Sequence, residues 1–591
     1  MREWNKSATT LLLGVGLWTF CFCVYLSNLP VNYTYDGMVF ASHIEQDHRP
    51  LWDYFHPHHL FYTFFGRLIF LWGRANGATW DGLVALQFFD ILTGALGVLI
   101  AFHLMVRVTN DRLVSFLSAA GLSFTYSYWY FSTSPGVRIF ATVTPLLAWY
   151  ALTYLKKAPP VFGWVIGFAH AFAVTGHQTN LLLVPAFLGG IWCLPEKTPW
   201  DRLKISLFYL AALTIGVLAA YGFIGRFVCY RKTYESWVWW VFSYFHVKEW
   251  GGHLQQAGIE RGKFAMVQAF LLDTLPYKTM AAPFTFLAAK NIFQYAVFSL
   301  LGLLLMRLKS YWNNYRQTLW VGFFWLLAFV PFFIWWEPWN IEFWVSSTVP
   351  CWILMGIIIS DLSSRWKNPI LHYSNRGLII AIWGGLVILL FFYNFQKAIN
   401  NALAPTAKIT YGHSALLGAL DWKVRVDDLL ILDGINTIPF YLDRYQKRNY
   451  LSLHAFLKKY RKMEKEEKEI KLGKKTVMNL AAPVPPPDPW QDLSDVFQTI
   501  WKHHRKVWAL SESIEENDAW REKLERMMDL PKGRLLTFFH QYELTPVEYH
   551  GRTYFYEIVK PSPSPTPTEK EIRLTPAPVD LNLLKTRGRK K

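Results

Sequence analysis

As far as Phe395 the chain is a succession of apolar runs, and this patterning constrains its fold more than any other feature. The runs lie near 9–26, 83–105, 113–131, 138–155, 161–177, 180–194, 205–224, 291–306, 319–336, 344–361 and 377–395. A helix needs about 20 apolar residues to cross a hydrocarbon core roughly 30 Å thick. The longer runs meet that length, and the shorter ones, of about 15–18 residues, reach it with polar flanks. Eleven spans are therefore expected. Charge divides the chain at the same point. Residues 1–396 hold 27 basic and 17 acidic side chains, whereas the 195 residues from Lys397 hold 33 and 25. Lipid is the expected solvent of the first part and water of the second, which excludes a single soluble globule. Four of the five cysteines, Cys21, Cys23, Cys193 and Cys351, lie in apolar runs and Cys229 in a loop, so a disulfide-stapled secreted domain is excluded too.

The uncharged stretch from Ser7 to Tyr35 is longer than a signal-peptide core and closes on no small-x-small cleavage site, so it is expected to stay as the first span. Taking the loops alternately, the side of the N-terminus holds about 15 basic residues, among them Arg107, Arg112, Lys156, Lys157, Arg202, Arg316 and Arg376. The short loops of the other side hold only Arg49, Arg67, Arg74 and Arg138. The positive-inside rule then puts the N-terminus in the cytoplasm, and an odd span count puts everything after Gln396 outside. The expected layout is a multispan domain over 1–396, with outside loops at 29–82 and 225–290, then an extracytoplasmic α/β domain over 397–560 and a disordered, proline-rich basic tail over 561–591. The expected location is a bacterial inner (cell) membrane. Within the polar domain, Asp427 to Leu432 reads as a buried strand followed by a helix over Thr437 to Arg448. Trp490 to Arg505 and Ile514 to Met528 read as amphipathic helices, and Arg534 to Phe539 and Thr553 to Val559 as strands.

Polar residues at span ends are costly without a partner or a task, and the conspicuous ones gather on the outside face. Asp36 follows the first span by about eight residues, at the depth of a lipid headgroup, where a carboxylate can act as general base on a hydroxyl. Its competing local role is to cap the helix over Gly37 to Glu45. His56-Pro57-His58-His59 offers two alternatives: His58 and His59 ligate a divalent metal with Glu45, or Pro57 sets a turn and the imidazoles hydrogen-bond to phosphate or carboxylate. Arg138 opens the fourth span, His177, Gln178 and Asn180 make a tight turn between the fifth and sixth, and Arg226, Arg231 and Lys232 follow the seventh. Glu337, Asn340 and Glu342 lie among tryptophans in a further outside turn. Each arginine can snorkel to headgroups and each tryptophan can belong to an interfacial belt; their gathering on one face is the argument for a site.

Asp36 after the first span, with His56-Pro57 about 20 residues later, resembles the C-superfamily (GT-C) glycosyltransferases. These multispan enzymes use polyprenyl-phosphate-linked sugars and include protein O-mannosyltransferases and the lipid A aminoarabinose transferases. The turn from Gly176 to Asn180, running into Leu181 to Pro185, resembles one in which many relatives carry Lys or His near the lipid phosphate. Two positions depart from the pattern. Gly37 stands where many relatives have a second acid, with Glu45 a candidate substitute, and His58 replaces the second proline of the usual His-Pro-Pro. The resemblance implies a GT-C-like polytopic fold of about 11 transmembrane helices. It also implies Asp36 as catalytic base of an inverting displacement from a polyprenyl-phosphate sugar, with Arg138 and His177 at the leaving phosphate. His56, His58, His59, Gln178, Asn180, Glu337, Asn340 and Glu342 complete the expected substrate site. No cofactor is required by this reading; a divalent metal on His58 and His59 is the one admitted. The acceptor is a protein, lipid or polysaccharide hydroxyl, and nucleic acid is not expected. The alternative class is a transporter or flippase of lipid-linked sugars, but that would place ionisable residues near the midplane and show paired repeats. A scaffold that has lost its chemistry is the third reading.

Overall fold

The computed structural model describes residues 2–30, 34–47, 49–243, 256–271, 302–338 except 304, 340–364, 369–395, 419–432 except 421, 448–511 except 461–487, and 530–560 except 550–551, with isolated residues between these stretches. It divides into two compact units, Met1–Ala407 and Lys408–Lys591.

The first unit is helical: α1 (Arg2–Leu26), α2 (Tyr35–Glu45), α3 (Tyr62–Ala75), α4 (Gly82–Thr109), α5 (Arg112–Phe124), α6 (Tyr126–Thr133), α7 (Val137–Leu152), α8 (Gly163–Gly176), α9 (Val184–Trp192), α10 (Pro199–Phe223), α11 (Tyr234–Val241), α12 (Gln256–Phe270), α13 (Leu308–Trp336), α14 (Ile341–Ser364) and α15 (Pro369–Asn394). Among the described residues, six stretches are long and apolar enough to cross a membrane: Ser7–Leu26, Gly82–Thr109, Pro199–Val228, Leu308–Trp336, Ile341–Ser364 and Asn375–Asn394. Three shorter apolar helices, Arg112–Phe124, Val137–Leu152 and Pro160–Gly176, accompany them. The apolar run over 113–131 is not one rod. Thr125 adopts extended backbone (φ −61°, ψ 133°) and separates α5 from α6. The run over 180–194 begins as a 3₁₀ turn, Gln178–Leu183, before α9, and most of the run over 291–306 lies outside the described residues.

Close helix contacts are made by small residues, because helices in lipid associate by packing rather than by exclusion from water. Gly163 and Gly167, one turn apart on α8, lie on α10 so closely that a Cβ would stand 2.6 Å from the Ile205 carbonyl and 2.4 Å from that of Tyr209. Trp129, Trp149, Trp325, Trp344 and Trp352 fill the interior with almost no exposure.

The second unit holds a five-stranded sheet ordered β2-β1-β3-β5-β4, with β1 (Leu429–Leu432), β2 (Tyr450–Ser452), β3 (Val507–Leu510), β4 (Glu543–Tyr549) and β5 (Arg552–Val559). β1 runs parallel to β2 and β3, and β5 antiparallel to β3 and β4. β1 and β3 are buried on both faces, which is why each reads as an unbroken apolar run rather than an alternation. Leu429, Ile431, Val507 and Ala509 pack toward α16 (Pro489–Lys502), while Leu430, Leu432, Trp508 and Leu510 meet Leu420, Val424 and Phe555. The strand expected at Arg534–Phe539 is instead a short helix, α17. Its apolar residues recur at 535, 536, 538 and 539, a helical spacing, and Leu535, Phe538 and Phe539 share one buried cluster. The helix expected at Thr437–Arg448, most of that at Ile514–Met528, and the tail from Pro561 lie outside the described residues.

Candidate active site

Asp36 stands in the first turn of α2. It is not the cap. Thr34 is: its Oγ1 accepts the Gly37 N–H at 3.1 Å and donates to the Pro135 carbonyl at 3.2 Å. The Asp36 carboxylate is thereby left to face a cavity of about 580 Å³, which it lines with His56, His58, His59, Arg138, His177, Glu337, Asn340 and Glu342. Gly37 explains the departure at its position. A Cβ there would stand 2.3 Å from the Pro135 carbonyl oxygen, so the contact that fixes α2 leaves no room for a second acid.

The His56–His59 turn closes on itself, with the His59 N–H donating to the His56 carbonyl at 3.1 Å. Two backbone bonds then join it to the end of α8: Leu60 N–H to Thr175 O at 2.8 Å and Gln178 N–H to His58 O at 3.1 Å. Tyr221 adds a hydroxyl bond to the Pro57 carbonyl at 2.8 Å. The rings of His58 and His177 consequently meet edge to face at 4.2 Å, and His59 packs on Phe40 at 4.8 Å. Burial pushes the His56 imidazole down to about 4 and that of His58 to about 3, with the Arg138 charge next in effect at His58. Both rings are therefore neutral hydrogen-bonding groups at pH 7.

Arg138, in the first turn of α7, is the hub. Its guanidinium donates to Glu342 Oε1 at 2.8 Å, lies 3.1 Å from His177 Nε2, and covers the Phe343 ring at 3.9 Å. On the other side of the ring, Nδ1 of His177 lies 2.7 Å from Thr179 Oγ1 and 3.4 Å from the Thr179 N–H, which fixes the orientation of the imidazole. Asn340 bridges the acids, donating to Glu337 Oε2 and Glu342 Oε1 at 3.0 Å each. The start of α7 is itself held by Asp90 of α4, whose Oδ2 accepts from Tyr62 at 2.9 Å and from the Gly136 N–H at 3.2 Å.

Of the cavity's carboxylates, Asp53 pairs with Arg49 at 3.2 Å, and Glu337 and Glu342 are held as described. Of these four, Asp36 is the one with no hydrogen bond or ion pair to the described residues. The side chain is open to the cavity, yet the protein packed around that cavity thins its solvent and raises the carboxyl to about 6, with the Glu342 charge reinforcing the shift and Arg138 opposing it. That is the range in which a carboxylate is a competent base near neutrality.

Other expected residues fall elsewhere. Glu45 accepts the Gly82 N–H at 2.6 Å at the start of α4 and is not among the residues lining the cavity. Asn180 is buried on the Ala141 and Ala173 carbonyls, and Gln178 spans His58 and the Val241 carbonyl; both brace the turn from behind. Among the described residues no three His, Cys, Asp or Glu side chains converge to hold a metal, and Glu45, expected beside His58 and His59 as a ligand, is bonded to the Gly82 N–H instead. Asp90 was not among the expected site residues, although a carboxylate inside an apolar run is itself a signal. His43, Trp52 and Trp240 also line the cavity, and nothing in their sequence context marks them out.

No family model and no curated protein sequence matches the chain. Solved structures do. ArnT of Cupriavidus metallidurans in its apo state matches over 95% of this chain and 99% of its own, with a TM-score of 0.52 and 11% identity. The same protein bound to undecaprenyl phosphate matches over 93% and 98%, with a TM-score of 0.51 and 11% identity. The apo oligosaccharyltransferase of Archaeoglobus fulgidus matches more loosely, over 94% and 75%, with a TM-score of 0.45 and 10% identity. The chain has the polytopic GT-C fold. It shares that fold with ArnT along nearly its whole length, so the resemblance read at Asp36 and His56-Pro57 holds at the level of fold.

Proposed function

We propose that this protein is an integral-membrane glycosyltransferase that moves a sugar from a polyprenyl-phosphate donor to a hydroxyl acceptor. The observation that carries the proposal is the unpartnered Asp36 carboxylate facing a cavity that also holds the Arg138 fork. The fold shared with a protein crystallised on undecaprenyl phosphate supports the donor class. In the reaction, the acceptor oxygen attacks the anomeric carbon as the bond from that carbon to the phosphate oxygen breaks. The acceptor proton passes to Asp36, polyprenyl phosphate leaves, and the anomeric configuration inverts. Arg138 spends donors on Glu342 and His177 and keeps others of its five N–H groups for the leaving phosphate. His177, neutral, fixes the fork rather than adding charge. Glu342 orients the same guanidinium and holds Asp36 basic.

The cavity faces the extracytoplasmic side in this reading, because the helix ends away from it carry the basic surplus. A reporter active only outside the cytoplasm, fused after Ala404, is expected to be active; activity of a cytoplasm-only reporter there would invert the assignment. The reaction is tested by incubating the purified protein with a panel of polyprenyl-phosphate sugars and following donor loss by mass spectrometry. Consumption of one donor with release of polyprenyl phosphate is expected. Binding followed by return of every donor intact would favour a carrier.

A further inference from the structure

A second cavity, of about 440 Å³, lies at the opposite ends of the same helices. Arg316 lines it, and Trp336 on the same helix lines the Asp36 cavity. About 20 residues at ~1.5 Å each separate the two by roughly 30 Å, one hydrocarbon thickness. The wall carries Arg107, Lys156, Lys157 and Arg316 against a single acid, Glu196, which stands 3.5 Å from Lys156.

Cations at this depth have two ordinary explanations, the positive-inside bias and the attraction of helix C-termini. The second can be weighed. α4, α7 and α9 all end at this wall, each contributing roughly half a negative charge. With Glu196 they supply roughly two and a half negative charges against the four cations, leaving a surplus of roughly one and a half. The first explains charge at the surface, not a cavity into which it converges. Two further observations concern Arg316. Its Nε is buried with no hydrogen-bond partner among the described residues. It also follows Tyr315, whose backbone (φ −131°, ψ 19°) interrupts α13 at the cavity. A buried donor without an acceptor is costly, so the site is short of acceptor oxygens.

We propose that this cavity binds a phosphate-bearing anion, and specifically the headgroup of an anionic phospholipid from the adjoining leaflet. A phosphate offers several acceptor oxygens in a geometry suited to the forks of Arg107 and Arg316. Arg107 is pre-positioned, its guanidinium stacked 3.5 Å over the Tyr154 ring. Basic pockets between spans are places where such headgroups seat.

The test is the thermal unfolding midpoint of the full-length protein in neutral detergent, titrated with phosphatidylglycerol, phosphatidylcholine or inorganic phosphate. Phosphatidylglycerol is expected to raise the midpoint saturably and phosphatidylcholine not. Lys156→Gln/Lys157→Gln removes two exposed charges without touching the Tyr154 stack. It should demand on the order of tenfold to thirtyfold more phosphatidylglycerol, from about 1 kcal/mol per basic residue. The double variant Lys204→Gln/Lys309→Gln removes equal charge from the same helix ends outside the cavity and should respond as the unsubstituted protein does. Protection by millimolar inorganic phosphate, lost in the Lys156/Lys157 variant alone, would keep the phosphate site but assign it to a soluble ligand. Equal protection by both lipids, or equal loss in both double variants, would overturn the proposal and leave the cations as ordinary anchors.

Discussion

Each unit holds an aspartate at the start of a secondary-structure element, and the two are treated in opposite ways. Asp428, in the polar unit, is 2% exposed and fully engaged: Oδ1 accepts the Lys506 N–H, and Oδ2 accepts the Arg425 N–H and the Trp508 indole, each at 3.0 Å. Those bonds tie the start of β1 to the start of β3. Asp36, in the membrane unit, sits at the start of an element too, but Thr34 has taken the capping task, leaving the carboxylate to the cavity. A carboxylate whose acceptors are all occupied stabilises; one that faces a cavity without a partner has its proton affinity available for chemistry. The same contrast recurs inside the active-site cavity, where Asp53 is paired and Asp36 is not.

Substitutions should separate the two roles cleanly. Asp36→Asn is expected to lower turnover by roughly 10²–10⁴, the usual worth of a general base, while the thermal midpoint stays put; a large fall in the midpoint would break the comparison. Asp428→Ala leaves three donors without an acceptor and should cost the polar unit about 3 kcal/mol. Hydrogen exchange of the β1 and β3 amides would read that loss directly, and Asp36→Asn should leave those amides protected. Arg138→Ala should weaken donor binding by roughly 1–3 kcal/mol, partly because Glu342, 18% exposed on its side chain, loses its ion-pair partner and turns an uncompensated charge toward the phosphate. Glu45→Gln should do least. It weakens a charge at the N-terminus of α4, worth about 0.3–1 kcal/mol of stability, and turnover should stay within a few-fold.

How much of this was legible beforehand follows from what each signal depends on. Span-length hydrophobicity depends on composition alone, so the long helices could be read, whereas the break at Thr125 hides inside an apolar stretch because lipid-facing composition does not change there. β1 was readable as four consecutive large apolar residues. Arg534–Phe539 was not, because six residues are too few for the helical spacing of its four apolar side chains to outweigh a strand reading, and its tertiary cluster decides. In the site, Asp36, Arg138, His177 and Glu342 could be gathered on one face from loop order. Their mutual geometry could not: that Gly37 is locked against Pro135, that Glu342 holds Arg138, and that Asp90 anchors α7 are long-range contacts with no local trace.

Whether Asp36 takes the acceptor proton is read by the pH–rate profile of the unsubstituted protein beside Glu342→Gln, run with whichever polyprenyl-phosphate sugar the donor panel shows to be consumed. Protonated Asp36 cannot act, so turnover should fall tenfold per pH unit below the carboxyl's value of about 6 and level off above it. Glu342→Gln removes the neighbouring negative charge and releases Arg138 from its ion pair. Both changes favour the charged form of Asp36, so the acid limb should move to lower pH. A profile flat from pH 4.5 to 7, or an acid limb that stays in place in Glu342→Gln, would contradict the assignment of Asp36 as the base.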